Sequence, residues 1–181
     1  MLTQTRNTAL KMQKEQLAYN LLALGFRPPI VQSATNINVV QLRSWYKEIH
    51  HCSPPHGAMR ESTTNLATPK LFVEATLSFH IYLCLAGTEK ARNEVDFFAL
   101  CNTIPLYRAK REHLNLAPCK EFTASDVYAL ARDYRSGSVE LAECRCGATY
   151  PTVPEQIRPS LMIAHDVMTQ CPACHMAKYW K

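Results

Sequence analysis

The sequence predicts a mainly α-helical chain with an N-terminal helix-turn-helix, a helical scaffold after it, and a small C-terminal ribbon or knuckle tied by cysteines. Three observations carry this. Residues 9–50 place apolar side chains at spacings of three and four; residues 69–134 read as further helices with start and stop signals; residues 144–174 hold two tight cysteine pairs in a turn-rich segment. The expected parts are residues 1–57, 58–138 and 139–181.

The first helix is expected from about Ala9 to Leu24. Met12, Leu17, Leu21 and Leu24 fall near one face, with Lys11, Lys14, Glu15 and Gln16 largely outside. The two lysines are within reach of a phosphate in principle, but a solvated face accounts for them. Gly25 is a natural stop, since glycine alone enters the left-handed C′ conformation without steric cost.

Pro28 and Pro29 then open a short helix to Thr35, because proline already holds the helical φ and its missing N–H would have no partner in the first turn. Asn36 tolerates the left-handed conformation, Ile37 is an apolar plug, and Asn38 is a good N-cap. Gln41 completes a capping-box pattern at the start of a second helix, Val39 to His50. Leu42, Trp45, Tyr46 and Ile49 share one face of it; Val39, Val40, Arg43, Ser44 and Lys47 share the other. A DNA-reading helix needs this division, with its back packed and its first turns free to reach base edges. Arg43 is suited to guanine, Val39 or Val40 to a thymine methyl, and Lys47 to a phosphate; Asn38 and Ser44 complete the candidate DNA-binding set. An ordinary helical hairpin with a polar outer face is the competing account. Gln32 and Asn36 stand where many such motifs carry a small residue and a glycine.

His50-His51-Cys52-Ser53-Pro54-Pro55-His56-Gly57 reads as a rigid connector rather than a metal site, since adjacent histidines point apart on a helix and the rest is a proline turn. Residues 58–68 are expected as a polar connection. Pro69 opens a helix that runs to Gly87, apolar on nearly every side and so expected to be buried on nearly every side. Thr88 caps a further helix over about Glu89–Thr103, with Val95, Phe98, Leu100 and Cys101 inward and Pro105 ending the run. Residues 107–114 are short and basic; Arg108, Lys110 and Arg111 read as a solvated face with the alternative of a second anion contact. Thr123-x-x-Asp126 starts a helix to about Tyr134, and Ser136-Gly137 closes it. Cys84 and Cys101, among apolar neighbours, are expected as small core residues.

The C-terminal fifth changes character. Cys144-x-Cys146 and Cys171-x-x-Cys174 are separated by a segment holding Pro151, Pro154 and Pro159, too poor in apolar residues to fold by its own burial. Four thiolates around one zinc ion replace such a missing core, so Cys144, Cys146, Cys171 and Cys174 are the candidate ligands of a structural Zn2+, with His165 or His175 as a substitute. The C-terminal part is then a small zinc-binding ribbon or knuckle. A redox reading of Cys171-Pro-Ala-Cys174 lacks a βαβ context, and a zinc deaminase needs an H-x-E that the chain lacks. With only five glycines the chain offers no phosphate loop or nucleophile elbow, so no enzyme activity is expected.

Composition fits a globular protein: 181 residues, 47% of them apolar, with a net charge of +5. Residues 1–60 carry +5, residues 61–143 carry −2 and residues 144–181 carry +2, so both ends are basic around a neutral middle. The polar N-terminus lacks the apolar core of a signal peptide, and Glu74 and His80 interrupt the longest apolar run. A cytoplasmic protein with no membrane contact is expected, its cysteines reduced or metal-bound.

Several stretches together resemble the FlhC family of flagellar transcriptional activators and its conjugative-element relatives such as SetC and AcaC. The residues that carry the resemblance are LLALGFRPPIVQSATNINVVQLRSWYKEI, the Ser53-Pro54-Pro55-His56-Gly57 turn, the Ser136-Gly137 helix end followed by Leu141, and the terminal cysteine pairs. The resemblance implies a DNA-binding activator subunit that acts in a hetero-oligomer with an FlhD-like partner, binds upstream of flagellar or conjugative-transfer promoters and recruits RNA polymerase. It also implies a structural four-cysteine zinc site matching Cys146, Cys171 and Cys174. Glu143 stands at the family's first cysteine position, and Cys144 is the candidate replacement. The runner-up is a zinc-containing interaction subunit whose helix-turn-helix contacts another protein without reading DNA.

Overall fold

A computed structural model of the chain describes residues 2–59, 61–114, 116, 121–154 and 170–177, with side chains described from residue 8 to 174 within those ranges. The chain divides into two compact units, Met1–Ala58 and Met59–Lys181.

The first unit holds α1 (Leu2–Ala23), α2 (Pro28–Thr35) and α3 (Val39–His50), each packed on the other two. Its core is Ala18, Leu21, Leu22, Phe26, Ile30, Val31, Leu42 and Tyr46. The end of α1 closes as the sequence predicts: Gly25 takes φ +89°, its N–H donates to the Leu22 carbonyl, and the Phe26 N–H donates to the Leu21 carbonyl. That is a Schellman motif, with buried Phe26 supplying its apolar contact. α1 starts earlier than expected and outruns its partners. At about 1.5 Å per residue, the eight residues of α2 and twelve of α3 cannot cover its 22. Met12, expected inward, is therefore 64% exposed, and Leu10 and Tyr19 are exposed with it.

The second unit holds α4 (Ser62–Asn65), α5 (Pro69–Ala86), α6 (Thr88–Asn93), α7 (Phe97–His113), α8 (Ala124–Arg135), the strands β1 (Glu140–Glu143) and β2 (Thr149–Thr152), and α9 (Pro172–Ala177). α5 is its centre, touching α4, α6, α7, α8, α9 and β2. Phe72, Ala75, Phe79, Tyr82 and Leu83 line the buried side of α5, but His80, Cys84 and Leu85 are exposed, so the burial expected on nearly every side is not reached. Cys84 is accordingly a surface thiol rather than a core residue, whereas Cys101 is half-buried.

Between α5 and α8 the boundaries differ from the sequence reading. The helix expected over 89–103 is broken at Glu94, and a new helix begins at Phe97 because the Asp96 carboxylate accepts from the Ala99 N–H at 2.9 Å. Pro105, expected to end the run, lies inside α7 on its exposed side. It removes one donor, and the buried residues Leu100, Thr103, Ile104 and Tyr107 hold the helix on either side of it. The changed phase turns Phe98 outward, 70% exposed, while Ala99, Leu100, Thr103, Ile104 and Tyr107 face the core. α8 opens with the predicted capping box between Thr123 and Asp126 and ends at Gly137, φ +77°, where Gly137 and Ser138 N–H groups donate to the Tyr134 and Asp133 carbonyls.

One buried polar network fixes α7 to α5. Glu74, fully buried, accepts from the Tyr107 hydroxyl at 2.6 Å and from Arg111 Nε at 2.9 Å. Arg111 also donates to the Leu116 carbonyl, and the Phe122 N–H donates to the Tyr107 oxygen. Arg108 pairs with Glu121 at 2.9 Å. Two of the three cations considered as an anion site are therefore engaged within the fold. Among the described residues no helix is long and apolar enough to cross a membrane.

Candidate nucleic-acid interface and metal centre

α3 is presented by the two helices behind it. Leu42 and Tyr46 are buried, and Trp45 and Ile49 are half-buried. His50 Nε2 donates to the Leu22 carbonyl at 2.8 Å, and its ring lies 4.4 Å from that of Tyr46, so the last turn of α3 is held to the last turns of α1. His51 then leaves the helix with φ +54°, its N–H donating to the Lys47 carbonyl. Arg27, which the sequence reading passed over, donates to the Gly57 carbonyl at 2.8 Å and so ties down the proline-rich connector.

At the other end Asn36 adopts the left-handed conformation that glycine has in many such turns, φ +58°. Asn38 is the N-cap, but its side-chain oxygen accepts from the Val40 N–H at 2.8 Å, one position earlier than the capping-box pattern with Gln41 implies. Asn38 itself is exposed.

Val40, Arg43, Ser44 and Lys47 form one exposed row at helical spacing, with Val40 68% exposed. Val39 is half-buried. The Ser44 hydroxyl donates to Glu48 at 3.1 Å on the same surface. The row thus offers a guanidinium, an ammonium, a hydroxyl and a branched aliphatic group on a rigid rod. Those are the groups that recognise guanine edges, phosphates and thymine methyls.

The cysteines of the second unit converge. β1 pairs antiparallel with β2, Leu141 opposite Pro151 and Ala142 opposite Tyr150. The connecting turn is closed by the Cys144 N–H to the Ala148 carbonyl and the Gly147 N–H to the Cys144 carbonyl, each 2.8 Å, with Gly147 at φ +85°. That tight turn brings Cys144 and Cys146 to one side. Cys171 immediately precedes α9 and Cys174 lies in its first turn; β2 and α9 both rest on α5, with Tyr150 edge-on to Phe72 at 5.7 Å.

The four sulfurs all lie within 4.8 Å of one another, Cys146 and Cys171 at 3.5 Å. A tetrahedral S4 site with ~2.3 Å bonds needs sulfur separations of about 3.8 Å, so the set fits a single metal ion. It does not fit disulfides, whose S–S distance is about 2.05 Å. Backbone N–H groups of Cys146 and Cys171 directed at the Cys144 sulfur hold its thiol down, at about 6. Hydrogen bonds with the sulfurs of Cys146, Cys171 and Cys144 push Cys174 up to about 12, and burial raises Cys171. Crowded sulfurs resist ionising together, a conflict that a cation at their centre relieves. Glu143 lies exposed in β1, and the adjacent Cys144 is the buried member of the cluster from this turn. His165 lies outside the described residues, as does the side chain of His175.

A family model described as the flagellar transcriptional activator FlhC matches residues 4–177. The flagellar transcriptional regulator FlhC of Paraburkholderia atlantica is 27% identical over 148 residues, which cover 81% of this chain and 66% of that protein. The FlhC of Erwinia tasmaniensis is 28% identical over 144 residues, 78% of either chain, and that of Variovorax paradoxus 26% identical over 148 residues, 81% of this chain and 71% of its own. The match thus spans just under two thirds of the Paraburkholderia protein.

Proposed function

From the premise that the chain belongs to the FlhC family of flagellar transcriptional activators, we propose that it is the DNA-binding subunit of a hetero-oligomeric activator. It acts with an FlhD-like partner in the cytoplasm, at the nucleoid, and recruits RNA polymerase to flagellar or conjugative-transfer promoters. α3 enters the major groove: Arg43 contacts a guanine, Val39 or Val40 a thymine methyl, Lys47 a phosphate, and Asn38 and Ser44 flank them. The observation that supports this reading best is the two-sidedness of α3, with Leu42 and Tyr46 sealed behind and Val40, Arg43, Ser44 and Lys47 open in front. A structural Zn2+ held by Cys144, Cys146, Cys171 and Cys174 completes the proposal, tying the β1–β2 turn to the start of α9.

Co-expression with candidate FlhD-like chains, followed by footprinting and transcription with purified polymerase, tests it. A protected stretch upstream of a promoter, with transcription raised by the complex, is the expected result. A stable, folded complex that protects no stretch of any promoter overturns the DNA-reading role and favours the zinc-containing interaction subunit.

A further inference from the structure

Beside the start of α3 lies an open groove of about 440 Å3, formed wholly within the first unit. α1 lines it with Leu10, Lys11, Lys14 and the carboxylate-bearing Glu15, and the α2–α3 turn and start of α3 line it with Thr35, Asn36, Ile37, Asn38 and Gln41. Lys11 shares its charge with Glu15 at 3.9 Å, an exposed pair of little strength. Among the described residues no carboxylate pairs with Lys14.

These groups suit one kind of ligand. Ammonium and carboxamide N–H donors match the anionic oxygens of a phosphodiester, and the apolar side chains of Leu10 and Ile37 match the C–H faces of deoxyribose. Residues 1–58 carry six lysines and arginines against two acids, so the surrounding field favours a polyanion. Asn38 and Gln41 also lie at the start of α3, whose next exposed residues are Val40 and Arg43, so the groove continues the face assigned to base reading.

We propose that this groove seats the DNA sugar–phosphate backbone flanking the major groove, with Lys14 as its main cation and Lys11 as a second. The inference rests on α3 being the DNA-reading helix. The groove contributes affinity without sequence preference, and α3 contributes the preference.

The test uses the complete complex with its partner chain and labelled cognate and scrambled duplexes, titrated from about 50 to about 200 mM salt. Wild type is compared with Lys14→Gln, Lys11→Gln/Lys14→Gln and Arg43→Ala. Lys14→Gln is expected to weaken both duplexes by the same several-fold factor and to lower the slope of log affinity against log salt by about 0.9, the double variant by more. If both lysine variants bind with wild-type affinity and slope, the groove is a solvated face and the proposal falls. The Arg43→Ala arm reports separately on α3: a loss confined to the cognate duplex keeps the α3 reading even when the lysine variants are silent. Both lysines are exposed, so an unchanged thermal midpoint verifies that the variants are folded.

Discussion

The imidazole of His50 donates from Nε2 to the carbonyl of Leu22 at 2.8 Å, joining the end of α3 to the last full turn of α1. That carbonyl also receives the Gly25 N–H, so helix closure and helix docking meet at one oxygen. His50→Ala removes this bond and the tilted ring contact with Tyr46. It is expected to lower unfolding stability by about 1–2 kcal/mol, read as a shift in denaturant midpoint at unchanged slope. An unshifted midpoint would show that α3 is held without it.

Glu74 and Arg111 make a different kind of joint, because the carboxylate has no exposure at all. Arg111→Ala strands a buried charge and should cost about 3–5 kcal/mol, whereas a paired Glu74→Leu/Arg111→Met variant should cost clearly less. Equilibrium unfolding of the three proteins measures the difference. Equal losses would indicate that packing of the arginine stem, not the stranded charge, sets the cost.

Asp96 caps α7 and meets Lys90 at 2.7 Å. Burial pushes its carboxyl up, but the Lys90 ammonium and the Ala99 N–H outweigh this and hold it below the usual carboxylate range. A carboxylate depressed in the folded state stabilises fully above its unfolded value, about 3.9, and loses that contribution as pH falls through the folded value. Asp96→Ala should therefore cost about 1 kcal/mol at neutral pH, and the gap to wild type should narrow below about pH 4. A gap that stays constant down to about pH 2 would remove the charge from this account.

For the cysteine cluster, elemental analysis is expected to find about one zinc per chain, and Cys171→Ser should yield a metal-poor, destabilised protein. Chelator treatment should release the metal and unfold residues around β1, β2 and α9. Full retention of structure after exhaustive chelation would mean that the packing on α5 suffices.

Where local chemistry decides the structure, the sequence was readable. Gly25, Asn36, Gly137 and the Thr123–Asp126 box occupy the turns and caps their side chains favour, and two close cysteine pairs in a proline-rich segment foretold a cluster. The errors arose where tertiary context overrides a local rule. Pro105 does cost α7 a hydrogen bond, but the burial of Leu100, Thr103, Ile104 and Tyr107 on either side of it carries the helix through. Asp96 as a cap was hidden behind the assumption of one continuous helix, and that misplaced Phe98. Arg108 and Arg111 looked like a free basic run because their acidic partners, Glu121 and Glu74, are distant in the chain. Lys14 shows the converse: the sequence allows it a phosphate but favours a solvated face, and the groove it lines depends on where the α2–α3 turn folds back.

The most direct measurement of the central claim is the affinity of the Arg43→Ala complex for its promoter duplex beside a scrambled one at a single salt concentration. A base-reading α3 predicts a loss of about 1–3 kcal/mol on the promoter duplex alone, with scrambled binding unchanged. Binding identical to wild type on both duplexes would contradict it.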